Sequence, residues 1–210
     1  LVRQRLSSAG SMRLPRDGGS TGNAVDRAFV GNFRILDETE RLNNGNAYEV
    51  AVEALLSARR IVTVGMRIAH PVAYALGFNL QMFLGNAAVL TAGADTVEDG
   101  VRHYAAGDAG VVCDFRPYNP MTVWVTDTLR ARGVRIIAIV DSPLAPESEG
   151  AAAVLLTSTE GDFGGDRSLV GAMAVVSGLT ALLSERGGER CQASLQETMN
   201  LRLASGSSNR

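Results

Sequence analysis

The sequence predicts an α/β fold: a three-layer αβα sandwich with a five-stranded parallel sheet and additional helices at its N-terminal side. Three observations carry that prediction. Five short, mostly apolar runs have the length of buried strands: Ile61-Val62-Thr63-Val64, Ala87-Ala88-Val89-Leu90, Val111-Val112-Cys113, Ile136-Ile137-Ala138-Ile139-Val140 and Ala153-Val154-Leu155-Leu156. Segments with helical spacing separate them, as a sheet covered on both faces requires. Finally, the stretch VVCDFRPYNPMTVWVTDTLRARGVRIIAIVDS, residues 111–142, reads without a break as strand, loop, helix, strand and loop. Such a βαβ unit is nearly always right-handed and parallel.

Each element has its own signal. From Ala24 to Leu42, Val25, Phe29, Phe33, Ile35 and Leu36 recur at roughly helical spacing, and Asn43-Asn44-Gly45-Asn46 ends the helix. Ala47 to Ala58 forms a second helix with Val50, Val52, Leu55 and Leu56 on its apolar side. The first strand stops at Gly65. His70 to Leu84 is a long, nearly all-apolar helix, to be buried on more than one side. Thr96 to Tyr104, after the second strand, is a short polar helix. In the βαβ unit Asn119 suits an N-cap, Pro120 fits the first helical position, and Gly133 stops the helix. Pro143 opens a short helix running to Gly150. Beyond the fifth strand come an acidic, Gly-rich loop (Glu160 to Asp166), a long apolar helix (Ser168 to Leu183) and a last amphipathic helix (Arg190 to Leu203). Residues 10–23 are rich in Gly and Ser, so 1–23 read as a flexible lead-in, 24–204 as the domain and 205–210 as a frayed tail.

Composition narrows the function classes. A chain of 210 residues with 46% hydrophobic residues can build a real core, and with only 5% aromatics that core must come from Val, Leu, Ile and Ala. Twenty basic against 22 acidic residues give a net charge of −2, which excludes a polyanion binder in which the whole chain takes part. Every basic residue is Arg, so there is no lysine for a Schiff base or a P-loop. Cys113 and Cys191 have neither CxxC nor metal-site spacing and read as free thiols of a reducing compartment. The first residues lack a signal-peptide core, and no apolar run approaches about 18 residues. The expectation is a cytoplasmic protein without a membrane partner, cofactor or metal. The chain lacks an initiator Met, as either a fragment or a trimmed chain would.

Ligands of open α/β sheets collect at the carboxyl ends of the strands, so the loops there hold the candidate site. The turn Gly65-Met66-Arg67-Ile68-Ala69-His70 leads a strand into a helix, and its backbone N–H groups with the Arg67 fork suit an anion. It lacks the GxGxxG dinucleotide pattern. His70 reads as a base, a ligand or a helix-start residue. In Asp114 to Thr122 the helix start accounts for Asn119 and Pro120, but not for Arg116 and Tyr118 on the same rim. Ser142 before Pro143 is again a cap whose hydroxyl could reach a ligand. Glu160, Asp162, Asp166, Arg167 and Ser168 precede the long C-terminal helix. A solvated loop explains them, and Glu160, directly after strand five, is the best placed as a base.

Four runs together carry a family resemblance: Gly65-Met66-Arg67, Phe115-Arg116-Pro117-Tyr118, Ala131-Arg132-Gly133-Val134 and Ile137-Ala138-Ile139-Val140-Asp141-Ser142-Pro143-Leu144. From about Phe29 to Leu183 the chain resembles a SIS (sugar isomerase) domain, specifically the effector domain of RpiR-type transcriptional regulators. The resemblance implies a five-stranded parallel sheet between helices, binding of a sugar phosphate, and dimers or tetramers. It also implies a DNA-binding helix-turn-helix domain in full-length members, for which residues 1–23 are too short and too Gly-rich. The chain departs from the pattern in its hydroxyls. Ile68-Ala69 stands where relatives often carry Ser-Ser, Asn119 where a Ser is common, and Ala145 where relatives often have Ser.

The leading expectation is therefore a sensing domain for a phosphorylated or acidic sugar. The expected ligand-binding residues are Arg67, Arg116, Tyr118, Asn119, Thr122 and Ser142: Arg67 and Arg116 meet the anion, Thr122 and Ser142 donate hydrogen bonds, and Tyr118 lines the pocket. Binding shifts the arrangement of subunits, and a DNA-binding domain outside this chain reads the shift. The alternatives are an aldose–ketose isomerase of sugar phosphates, with Glu160 or His70 as base, and a ligand-free oligomerisation module.

Overall fold

A computed structural model describes residues 23–43, 45–91, 96–159 and 167–205. Five parallel strands form one sheet: β1 (Ile61–Gly65), β2 (Ala87–Val89), β3 (Ala109–Asp114), β4 (Arg135–Val140) and β5 (Ala153–Leu156), in the order β2-β1-β3-β4-β5. The helices are α1 (Ala24–Leu42), α2 (Ala47–Ser57), α3 (His70–Leu84), α4 (Val97–Val101), α5 (Pro120–Ala131) and α6 (Val170–Ala204). The αβα architecture expected from the sequence is the one observed.

The two-residue period of the strands divides the core in two. Ile61, Val111, Cys113, Ile137, Ile139 and Leu155 point to one face and pack with Leu55 of α2, Leu76 and Leu80 of α3, and Val175 and Leu179 of α6. Val62, Val64, Val112 and Ile136 point to the other and pack with Val97 of α4 and Val125 and Leu129 of α5. Burying one such aliphatic side chain stabilises the fold by about 1.5–3 kcal/mol, which is why a core this poor in aromatics suffices.

The helix signals act as the sequence suggests. Asn23 and Asp26 form a reciprocal capping box at the start of α1, with hydrogen bonds of 3.0 and 3.2 Å. The Asn119 side chain caps α5 by accepting from the Met121 amide at 2.9 Å, and Gly133 takes the left-handed conformation just past its end. Between the two late helices expected from the sequence the chain runs on as α6, with the break confined to Gly188 (φ 47°, ψ −127°).

Two expectations need correction, and the burial of α1 could not be read from spacing. No helix runs from Pro143 to Gly150. Ser142 instead closes a turn, its Oγ accepting from the Leu144 amide at 3.2 Å, and only a single 3-10 turn, Pro146–Ser148, follows. The helix expected from Thr96 to Tyr104 is shortened to α4, capped by Thr96. Of the apolar stripe of α1 only Ile35 is buried, while Val25 and Phe29 are each 62% exposed. The buried contacts of α1 are instead made by Gly31, Ile35 and Thr39, next to α6. Helical spacing identifies a stripe, but not which side of it meets the core.

Candidate functional site

In this strand order the chain leaves β1 and β3, which are neighbours, for opposite faces of the sheet: α3 packs on one and α5 on the other. The loops that follow β1 and β3 therefore part, and the crevice between them is the topological switch point where open α/β sheets take ligands.

The first wall is the turn after β1. A Cβ on Gly65 would lie 2.7 Å from the Ala69 carbonyl oxygen and 2.9 Å from the Ala73 Cβ, so only glycine lets the chain fold straight back into the 3-10 turn Arg67–Ala69. Arg67 is exposed and has φ 51°, the only left-handed non-glycine among the described residues. That conformation costs an L-residue roughly 1–2 kcal/mol. Strain of this kind concentrates at ligand-binding positions. Ile68 is exposed and Ala69 buried. His70 is half-buried and its Nδ1–H donates to the Gly65 carbonyl at 3.2 Å, which pins the ring across the turn.

The second wall is the loop after β3. The Asp114 carboxylate, 2% exposed, accepts from the Phe115 amide at 2.9 Å and the Asn119 amide at 2.8 Å, which fixes both ends of the loop. Phe115 anchors the loop in the core, while Arg116 stands at the surface. Thr122 is fully buried in α5 below the loop, and its hydroxyl has no hydrogen-bond partner.

Arg116 and Tyr118, the pair singled out from the sequence, do come together, and the residue that joins them is Asp141. Its side chain is 2% exposed and accepts from the Arg116 amide (3.1 Å), Arg116 Nε (3.2 Å), the Tyr118 hydroxyl (3.0 Å) and Arg167 Nη1 (3.3 Å). One carboxylate thus ties the loops after β3 and β4 to the approach of α6. Burial first, then the Asp141 charge, push the Tyr118 phenol up to about 12, so it remains a donor at neutral pH. Ser142 spends its Oγ on the turn described above and stays half-buried.

Two features were missed from the sequence. Thr157, Ser158 and Thr159 directly follow β5, and all three are buried. Ser158 donates its hydroxyl to Glu38 at 2.7 Å and its amide to Thr39 Oγ1 at 3.1 Å, while Ser168 donates to Asn32 at 2.7 Å, so α1 is stitched to the rim. The run of hydroxyl residues at a strand end was the available signal. The second feature is Glu147 in the 3-10 turn after β4, fully buried with neither carboxyl oxygen hydrogen-bonded. Nothing in its local sequence marks it. Glu160, Asp162 and Asp166 lie outside the described residues. Among the described residues no group of three or more potential metal-ligating side chains comes together, and no helix is long and apolar enough to cross a membrane.

The family model "SIS domain" matches residues 54–184. The sugar isomerase domain of an RpiR transcription factor from Sphaerobacter thermophilus is 30% identical, with 85% of this chain and 99% of that one covered and a TM-score of 0.79. The Vibrio vulnificus NanR protein, solved in complex with ManNAc-6P, is 20% identical over 88% of this chain and 70% of its own, with a TM-score of 0.74. A Methanococcus jannaschii protein, inferred from its crystal structure to be a 3-hexulose-6-phosphate isomerase, is 13% identical over 82% of this chain and 95% of its own, with a TM-score of 0.62. The last two likenesses establish the shared fold alone. No curated protein matches the sequence.

Proposed function

Since the chain belongs to the SIS domain family, we propose that it is the sugar-phosphate-sensing domain of an RpiR-type transcriptional regulator. The observation that carries this reading is the switch point between β1 and β3, with Arg67 held in a left-handed turn beside it. An arginine kept in a costly backbone conformation at the start of a helix is suited to a phosphate or a carboxylate. Arg67 is the primary anion contact and Arg116 a second, shared with Asp141. Tyr118, Asn119 and Ser142 border the sugar, and Thr122 supports the loop from beneath. Because Ile68, Ala69 and Asn119 offer few hydroxyls, the site relies more on charge than on a ring of hydroxyl donors. The exposed apolar side of α1 is covered by a second copy in a homodimer or homotetramer, and a DNA-binding domain outside this chain reads the change in subunit arrangement. The setting is cytoplasmic.

A thermal-shift screen of paired phosphorylated and unphosphorylated sugars tests the reading. A ligand at 100 times its Kd stabilises by about 2.7 kcal/mol, or about 5–10 °C in Tm for a chain of this size. The phosphorylated member of a pair is expected to raise Tm, and R67A to abolish the rise. If no phosphorylated sugar raises Tm at millimolar concentration, sensing is ruled out and the oligomerisation module stands. The isomerase reading gains one observation, the His70 ring fixed at the rim by its Nδ1 with Nε2 left to act as a base. Turnover of a sugar phosphate that is lost in H70A would favour it.

A further inference from the structure

Glu147 has no place in the site as described, yet it is the most unusual side chain near it. It is fully shielded from solvent, and both of its carboxyl oxygens lack a hydrogen-bond partner. A bare carboxylate in such a place is costly, so the group either keeps its proton or destabilises its surroundings. Its 3-10 turn packs on β4 and α5. The groups that face it are mostly acidic. From the end of β3 comes Asp114, whose negative charge acts on it directly; from α5 comes Asp127. Arg130 of α5 lies beside Gly150, just past this turn; its Nη1 closes on Asp127 at 2.6 Å, while its Nε and Nη2 are buried without a hydrogen-bond partner. Asp141, after β4, is already matched by Arg116 and Arg167. Glu149, on the same turn, is exposed. Burial is the largest influence on both members of the pair. It raises the carboxyl of Asp114 against the opposing pull of the Asn119 and Phe115 amides, and it raises that of Glu147 to about 7.

Asp114 is not an idle neighbour. Its two oxygens accept the amides that fix the loop after β3, the loop carrying Arg116 and Tyr118. We propose that Glu147 is a positioning residue for that loop, sharing one buried proton with Asp114, and that release of this proton as the pH rises loosens residues 114–119. With the proton in place, Glu147 is a neutral acid that can donate to the Asp114 carboxylate, and Asp114 keeps a single charge for its two amide donors. When the proton leaves to solvent, two buried carboxylates face one another. Their repulsion is relieved by movement of the loop after β3, whose two ends Asp114 holds. The consequence for function rests on the reading above: the loop that would share the anion becomes less ordered as the cell interior grows more alkaline.

The test needs no ligand, so its failure is separate from any failure of sugar binding. Amide and side-chain carboxyl resonances of the full chain are followed by NMR from pH 5 to 8.5. The Phe115 and Asn119 amides and the Glu147 carboxyl carbon are expected to move together with one midpoint near neutrality. In E147Q, which retains a donor toward Asp114 but cannot titrate, the movement of both amides is expected to vanish. Persistence of the amide titration in E147Q would overturn the proposal. A Glu147 carboxyl midpoint below pH 5 in the unaltered protein would do so as well, and that measurement requires no variant to fold.

Discussion

Removing the Asp141 carboxylate tests whether the rim is built as one unit. Asp141→Ala deletes an acceptor that holds the Arg116 amide at 3.1 Å, the Tyr118 hydroxyl at 3.0 Å, and two arginine side chains. The ion pairs contribute little, because the Arg116 side chain is 53% exposed and that of Arg167 31%; together they are worth about 1 kcal/mol. The amide and phenol bonds to a carboxylate that is itself 2% exposed are stronger, about 1.5–3 kcal/mol each, and are not additive. The net expected loss is about 3 kcal/mol, or about 6–12 °C in Tm. Asp141→Asn keeps one acceptor and should lose roughly half as much. Thermal unfolding followed by circular dichroism at pH 7.5 reads both. A double-mutant cycle with Y118F then isolates the phenol contact and should give a coupling of about 1.5–3 kcal/mol. A D141A loss below about 2 °C, or strict additivity with Y118F, would refute the claim that this carboxylate holds the loops together.

The remaining predictions concern charge, strain and surface. Glu147 keeps a proton in the folded protein up to about pH 7 that the unfolded chain releases near 4.5; its contribution to stability is therefore full below pH 4.5, declines between the two values, and is flat above. At about 1.4 kcal/mol per pH unit, the unaltered protein should lose about 3 kcal/mol relative to E147Q between pH 4.5 and 7.5, measurable by urea denaturation at each pH; a constant difference would refute the assignment. R67G should relieve the left-handed backbone and raise Tm by about 2–6 °C while weakening any anion that stabilises the protein. A drop in Tm would show that the Arg67 side chain does structural work not visible in its exposure. Phe29→Glu adds charge to the exposed side of α1 and should shift the species seen by light scattering toward the monomer with little change in the far-ultraviolet spectrum. An unchanged mass would place the subunit contact elsewhere.

How much of this was legible depended on the range of the interactions. The strands were readable because each is a local apolar run whose length alone separates it from a helix. The Asn119 cap and the Gly133 stop were readable because a cap is a contact between residues two or three apart. The short helix expected after Pro143 failed for a local reason too: Ser142 followed by proline fits a helix cap and a tight turn equally, and here Leu144 bonds to it in a turn. Spacing placed α1 but not its buried side, because burial there is decided by α6, which is distant in sequence. Arg116 and Tyr118 could be named as a pair, but not their partner, since Asp141 meets them only once β3 and β4 are side by side.

That last point follows from the register. Asp114 pairs with Val140, so the residue after Val140 emerges level with the start of the β3 loop. Asp141 is thereby set to accept from Arg116 and Tyr118 whatever the intervening helix contains. The alternation of side chains does the complementary work. Asp114 shares the face of Val112, the face covered by α5, which is where Thr122 lies and against which the turn of Glu147 packs. Two acids that look alike in the sequence, Asp114 and Asp141, thus end in opposite circumstances. One is neutralised by arginines that reach solvent. The other faces a buried acid and depends on a proton instead. A shift of register by one residue would exchange the faces of every side chain in β4 and separate both groups from their partners. The strand pairing that builds the core is therefore also what fixes the charge pattern of the rim.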